Sequence, residues 1–510
     1  MNKSPQNHKV KEKSAFWSSS HATKIESVLL ALLFLFLPTQ LTKHFWPQFS
    51  LVTGIRVDYL SPTIYVTDIL IGLLFVVWLL KLVIARNEAI PTRKSLLVQK
   101  YRLLRSARND RWKYIFGFLA LFFLSVNIIS AERIGLSLYY LIKLFEFSFL
   151  AFYIAQNIQS TFNLATMALL FAISSFFQSL LALLQYFQQG SLNGWLYYVG
   201  ERMFSGATPG IANADINGEL ILRPYGTFPH PNVLAGYLLI GVIIIASFLI
   251  PRSQGFIKYF GIFTIIMSSI AILLSLSRVV IGLGVLLVVG LIIYKIVKRL
   301  VIARNEAIST KKGLPMQKYR LLRSFRNDKK KKIGIGLLIA GALDLILFIG
   351  GLAFLQTVGS RFLQTSFFEE AFTQRSELID SALILIRTNP LVGVGLGHFI
   401  PSLSPLQEPL SLGLYLQPVH NIFLLIAAET GLIGLGIFLL FLGLTYSTLI
   451  KNISLSPLLR FEFLIFSLLL SIILILGLFD HYFLTLQQGQ LLFAVILGLS
   501  WAKLTLNPKP

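Results

Sequence analysis

IKYFGIFTIIMSSIAILLSLSRVVIGLGVLLVVGLIIYK, residues 257–295, is an apolar stretch of about 39 residues whose middle is broken by Ser275, Ser277 and Arg278. A helix needs about 20 residues to cross the hydrocarbon core of a bilayer, so this stretch is too long for one span and reads as two helices meeting at the polar cluster. The split fixes the topology on either side. With the N-terminus inside, the segments 82–113, 251–258, 296–332 and 448–460 all fall on the cytoplasmic side, and about 35 of the 45 Lys and Arg become cytoplasmic. Left unsplit, the stretch would send the basic segment 296–332 outside. The split also puts Arg278 at the outer boundary.

The composition agrees. The chain has 510 residues, of which 55% are hydrophobic and only 13% charged, and the apolar residues fall in long runs such as 64–82, 233–250 and 461–478. A soluble fold would have to bury too much of this, and barrel strands would be shorter and would alternate. The net charge of +23 would suggest nucleic acid in a soluble protein; here it marks cytoplasmic loops, and no nucleic-acid partner is expected. With no cysteine, disulfides and thiolate metal sites are excluded. The apolar stretch near residues 27–37 follows a lysine-bearing N-terminus, but no small-residue cleavage site follows it, so it reads as a retained first span.

The expected fold class is all-α: a polytopic transmembrane bundle of about twelve spans, near 25–41, 64–81, 114–130, 134–154, 163–187, 232–250, 257–275, 278–295, 333–356, 419–447, 461–479 and 486–503. The expected organisation is a cytoplasmic N-terminus over 1–24 and spans one to nine over 25–356, with basic cytoplasmic insertions at about 82–113 and 296–332. A large external loop with a helix of its own follows at 357–418, then spans ten to twelve over 419–503 and a cytoplasmic tail over 504–510. The segments 188–231 and 357–418 are the longest external ones, and chemistry is sought there.

Residues 82–110, LVIARNEAIPTRKSLLVQKYRLLRSARND, recur at 300–328 as LVIARNEAISTKKGLPMQKYRLLRSFRND, with about six substitutions. The flanking spans do not repeat, which excludes the inverted-repeat transporter pattern. One reading is a pair of basic segments lying on anionic lipid, with Tyr101, Leu103 and Leu104 as apolar anchors. The preferred reading is a mobile sequence element tolerated in exposed loops.

Residues 367–388 read as an amphipathic helix stopped by Asn389-Pro390, with Leu378, Ile379, Ala382 and Ile386 on its apolar face. Helical spacing puts Arg375 on that inward side, where it needs an anionic partner: a bound anion, or Glu369, Glu370 or Asp380. Arg278 at its boundary must face a cavity or snorkel to the headgroups. His420 and Asn421 open the tenth span after Pro418. Glu429, nine residues beyond His420, is out of phase with it and should not form a simple acid–base pair, so it is free to tie helices together. RPYGTFPHPNVLAGYL, residues 223–238, is a turn-rich lead into the sixth span that carries Arg223 and His230. The run Gly393, Gly395, Gly397 lacks the strand–loop–helix setting of a nucleotide loop.

Together these stretches resemble the O-antigen ligase and O-antigen polymerase superfamily of bacterial membrane proteins. The resemblance rests on TQRSELIDSALILIRTNPLVGVGLGHF (373–399) and PVHNIFLLIAAETGLIGLGIF (418–438), with the 223–238 stretch and SLSRVVIGLG (275–284) upstream. It is strongest over about residues 370–440. It implies transfer of a glycan from undecaprenyl pyrophosphate to a sugar hydroxyl at the outer face of the bacterial inner membrane, with both termini cytoplasmic and neither metal nor cofactor. The implied partners are the polyprenyl-pyrophosphate-linked glycan donor, a glycan, lipid or protein acceptor, and membrane lipids. Arg278, Arg375 and His420 are implied as the catalytic residues, two arginines holding the pyrophosphate and a histidine near the acceptor. Arg223, His230, Asn421 and Glu429 are the expected substrate-binding residues. The alternatives are an oligosaccharyltransferase acting on protein, and a carrier or flippase of lipid-linked oligosaccharide with Glu146 and Glu429 as coupling carboxylates.

A chain lacking residues 86–110 should insert and retain most of its transfer activity; loss of transfer in a correctly inserted deletion would assign the basic segment a function.

Overall fold

The computed structural model describes residues 19–88, 111–216, 218–311, 366–403, 416–456 and 458–504. Its helices are α1 (Ser19–Phe36), α2 (Val66–Glu88), α3 (Arg111–Ile129), α4 (Ile134–Thr161), α5 (Leu164–Gln188), α6 (Pro231–Ile244), α7 (Gly255–Leu274), α8 (Arg278–Lys311), α9 (Ser366–Thr388), α10 (Ile422–Leu455), α11 (Arg460–Gly477), α12 (Tyr482–Thr485) and α13 (Gln487–Ser500). Among the described residues 8 helices are long and apolar enough to cross a membrane. The expectation of about twelve spans is met to that extent only. Of the others, α1 has 18 residues and a lysine and a glutamate in its first half, the apolar part of α3 is shorter, and α13 has 14 residues. The expected span at 333–356 lies outside the described residues, as does most of the repeat, at 89–110 and 312–328.

The 257–295 stretch does divide. Helix α7 stops at Leu274, α8 starts at Arg278, and Leu276 takes a left-handed φ of 51° between them. A leucine in that region costs about 1–2 kcal/mol, and the turn is held by the Ser275 hydroxyl, which donates to the Ile272 carbonyl at 2.6 Å.

Helix α6, apolar on every side, continues as helical turns to Arg252, and its apolar window is entirely buried. A helix without a polar face belongs in the middle of a bundle. It packs against α5, α7, α8, α11 and α13. Lipid is as apolar as leucine, so close packing of small residues must hold such helices together. At Gly498 in α13 an added Cβ would lie 2.7 Å from the Ala151 carbonyl and 2.8 Å from Ile154 in α4. Ion pairs close other contacts: Lys81 to Glu26 at 2.6 Å between α2 and α1, and Arg252 to Glu462 at 2.7 Å.

The segments joining the helices at one end carry three two-stranded antiparallel sheets, which the all-α expectation did not include. They are β1 (Thr42–His44) with β4 (Thr63–Tyr65), β2 (Leu51–Val52) with β3 (Ile55–Arg56), and β5 (Asn213–Ile216) with β6 (Glu219–Leu222). Side chains stitch these segments together. Thr39 donates to the Val199 carbonyl at 2.9 Å, Thr227 to Pro38 at 2.8 Å and Gln488 to Thr39 at 2.8 Å.

Helix α10 is broken at Gly431, whose φ is 65°. A break inside an apolar helix frees peptide groups that lipid cannot satisfy. The glycine run satisfies them. Val394 N–H donates to the Ala428 carbonyl at 3.0 Å and Gly395 N–H to Glu429 at 2.9 Å, while Leu432 N–H donates to Pro390 at 2.8 Å. Buried Asn127 of α3 locks this contact, donating to the carbonyls of Val392 and Glu429 and accepting from Leu396 N–H at 2.9 Å. The backbones approach so closely that a Cβ at Gly393 would strike Glu429 and one at Gly431 would strike Leu391.

Gly431→Ala therefore adds a clash to a left-handed φ, and should lower stability in detergent by about 2 kcal/mol or more. A thermal-unfolding scan showing no decrease would refute this role for the break.

Candidate functional site

The break leaves a short N-terminal segment of α10, with His420 and Asn421 just before its first turn. Asn421 is spent on structure: its Oδ1 caps the helix, accepting from Phe423 and Leu424 N–H at 2.9 and 3.0 Å, and its Nδ2 donates to the Leu478 carbonyl at 3.2 Å. The Leu478 contact draws the end of α11 towards His420. Asp480 and His481 follow that end, and the His420 and His481 rings stand 5.0 Å apart. One ligand atom from each of His420, Asp480 and His481 lies within 4.8 Å of the others.

A hydrogen-bonded chain ties this cluster to the lead into α6. Asn232 Nδ2 donates to Asp480 Oδ2 at 3.2 Å, and Arg223 Nη2 donates to Asn232 Oδ1 at 2.8 Å. Arg223 Nε donates to the Ser275 carbonyl at 2.7 Å, in the turn just before Arg278. His230 caps α6, its Nδ1 accepting from Asn232 N–H at 3.1 Å. Arg223 thus joins the α7–α8 turn to the Asp480 cluster and is central to the site.

Arg375 lies on the stripe of α9 that carries buried Leu378, Ala382 and Leu385, as its spacing predicts, but it is exposed at the end of that stripe. Two details of the expected face are corrected: Ile379 is 40% exposed, and Leu385 occupies the buried position instead, because the stripe follows steps of three and four from Leu378. Among the described residues no ion pair joins Arg375 to Asp380; the side chains of Glu369 and Glu370 lie outside the description. The charge of Arg375 acts on Arg223, His230, His420 and His481, and that of Arg278 acts on Arg223.

These groups set one another's ionisation. Burial, then the charge of Arg223, pushes His230 down to about 3, and burial, then His420, does the same to His481. Both are neutral imidazoles at neutral pH. Burial also lowers His420, with Arg375 acting in the same sense and Asp480 opposing. Burial opposes ionisation of Asp480, but the surrounding histidines and the Asn232 amide more than offset it, holding the carboxyl below its usual range. Arg223 is drawn down to about 10 by burial and still carries its charge at pH 7. The Thr485 hydroxyl oxygen lies 2.6 Å from His481 Nδ1, which fixes the ring against α12. His420 Nδ1 is buried with no hydrogen-bond partner. One end of the bundle therefore holds an unused imidazole nitrogen beside a carboxylate, with the charge of Arg375 acting on the imidazole and Arg223 linked to the carboxylate through Asn232.

Residues 262–439 match the family model described as O-antigen ligase. That match supports the O-antigen ligase superfamily. It covers about a third of the chain and includes Arg278, Arg375, His420 and Glu429. It supports a membrane enzyme of the O-antigen ligase kind and suggests glycan transfer; the several apolar helices fit a bacterial inner-membrane protein. A comparison with curated proteins finds no match.

Glu429 makes its hydrogen bond to another part of the chain. Its Oε1 accepts from Phe399 N–H at 3.2 Å, so it braces the glycine run as the helix-tying reading expected. Asp480, His481 and Asn232 were not among the expected site residues. The sequence does carry a signal for the first two: FDHYF, residues 479–483, places an Asp–His pair just past the C-terminal end of an apolar helix.

Asn232→Ala would leave Arg223 Nη2 and Asp480 Oδ2 each without a partner, and should lower the transfer rate about 10–100-fold with a smaller change in thermal stability. Full activity in that variant would show that the chain is dispensable.

Proposed function

We propose that this chain is a glycan transferase working at the outer face of the cytoplasmic membrane, using a polyprenyl-pyrophosphate-linked donor and passing its glycan to a sugar hydroxyl. The observation that carries the reading is the meeting of Arg223, Arg278 and Arg375 with the His420–Asp480–His481 cluster. A pyrophosphate needs fixed cations, and guanidinium forks match its oxygens. Arg278 and Arg375, both exposed, hold the donor diphosphate, while Arg223 keeps the turn before Arg278 in register. His420 accepts the proton of the acceptor hydroxyl as the oxygen bonds to the anomeric carbon. The bond from that carbon to the phosphate oxygen breaks, and polyprenyl pyrophosphate leaves with the electron pair, its charge stabilised by the arginines. Asp480 orients the cluster and stabilises the imidazolium that forms.

The His420–Asp480–His481 geometry suits a divalent ion on ligand chemistry alone. Three surrounding cations oppose one, and they can supply the charge stabilisation a metal would give, which supports a reaction driven by arginine. The carrier alternative has one observation in its favour. Lys143 is buried between Asp68 at 2.5 Å and Glu146 at 3.1 Å, a charged trio inside the bundle. As Glu146 is engaged with Lys143, the trio reads equally well as a packing device.

The deciding experiment is transfer by purified protein in nanodiscs from an undecaprenyl-pyrophosphate glycan, for wild type, Arg375→Ala and His420→Ala. Released lipid pyrophosphate should accompany a larger glycoconjugate, with both lost by at least about 100-fold in folded variants. The rate should be flat near neutral pH, where the imidazole is free, and fall on acidification below the ordinary histidine range. Chelator should not matter. Donor movement across the bilayer without bond cleavage would establish the carrier, and activity abolished by chelator and restored by a divalent ion would establish a metal at the cluster.

A further inference from the structure

A cavity of about 710 Å³ opens beside the histidine cluster, walled by the 40–65 segment, the start of α4, residues 197–203 and the α12–α13 turn. Tyr59, Tyr65, Tyr139, Tyr140 and Tyr197 are among its lining residues. Gln40 also lines it, with its Nε2 buried and without a hydrogen-bond partner. Two of its lining residues touch the cluster directly. The Tyr59 ring meets the His481 ring edge-on at 5.5 Å, and the Thr485 oxygen is 2.6 Å from His481 Nδ1.

We infer that this cavity is a saccharide subsite that seats the sugar rings next to the reacting hydroxyl or anomeric carbon. The inference rests on the transferase reading and names the part of the substrate the arginines do not hold. Its volume falls within the range of small-molecule sites, about 300–1,000 Å³. Its chemistry selects the ligand class. Pyranose rings offer apolar C–H faces and a rim of hydroxyls; tyrosine faces cover the former, and amide, hydroxyl and carboxylate groups meet the latter. A polyprenyl chain would call for an alkyl-lined groove, and of the two cations in the wall Lys143 is already paired with Asp68 and Glu146, leaving Arg202 beside the carboxylates of Asp58 and Glu201 that also line it. Gln40 Nε2 is a donor awaiting an acceptor, and a sugar oxygen supplies one.

The donor glycan and the acceptor glycan share this chemistry, and the test separates them. Soluble saccharide released by mild acid from the organism's lipid-linked pool forms one arm, and saccharide from its cell envelope forms the other. Each is titrated against the full-length protein in detergent and followed by saturation-transfer NMR, for wild type, Tyr59→Ala, Tyr59→Phe and Gln40→Ala. Binding in at least one arm should weaken about tenfold in Tyr59→Ala and in Gln40→Ala and persist in Tyr59→Phe, which keeps the ring. The arm that binds identifies the source. No binding in either arm, or equal affinity in all four proteins, would overturn the subsite. Inorganic pyrophosphate binding, compared between wild type and Arg375→Ala, reads the transferase site separately. Pyrophosphate bound without saccharide sinks the subsite alone, whereas saccharide bound by a wild type that neither binds pyrophosphate nor transfers glycan keeps the subsite and sinks the transferase.

Discussion

A helix broken within an apolar setting must find protein partners for the peptide groups it frees, and that requirement at Gly431 shapes this structure. The partners come from the run after α9, so α9 is tied to α10 by main-chain hydrogen bonds. Side-chain packing alone would allow sliding; this backbone contact does not. The position of Arg375 on α9 relative to His420 at the head of α10 follows from it. Asn127 extends the constraint to α3, and Glu429 to the peptide after the glycines.

The second organising element is Asp480. It lies beside His420 and His481, and it acts through Asn232 and Arg223 on a turn in a separate helical hairpin. An anion that is both buried and hydrogen-bonded can hold neighbouring imidazoles in place without protonating them. The cluster therefore combines neutral imidazoles with a net positive field, a combination suited to binding an anion while accepting a proton.

Legibility in the sequence followed physical scale. Long apolar runs and the charge asymmetry of their flanks were readable, and the hairpin at Ser275 to Arg278 came from length alone. The helix ending at Thr388 was readable from its stop signal. Arg278, Arg375 and His420 stood out because polar groups at a membrane boundary need a reason to be there. Asp480 and His481 lie at an equivalent boundary, but their meaning arises only when Asn421 draws α11 towards α10, a contact across 57 residues of sequence. The glycine run was rightly refused as a nucleotide loop, yet its role depended on a break in α10 that periodicity does not reveal. The three small sheets were invisible because strands of 2 to 4 residues carry no periodic signal.

The aromatic cavity takes all its walls from outside residues 262–439, whereas that matched segment supplies Arg278, Arg375 and His420. The cavity wall and these three residues are thus encoded in separate stretches of the gene and meet only in the folded protein. A substitution in the 40–65 or 197–203 segment therefore reshapes the wall without altering Arg278, Arg375 or His420, so the two surfaces can vary independently of each other.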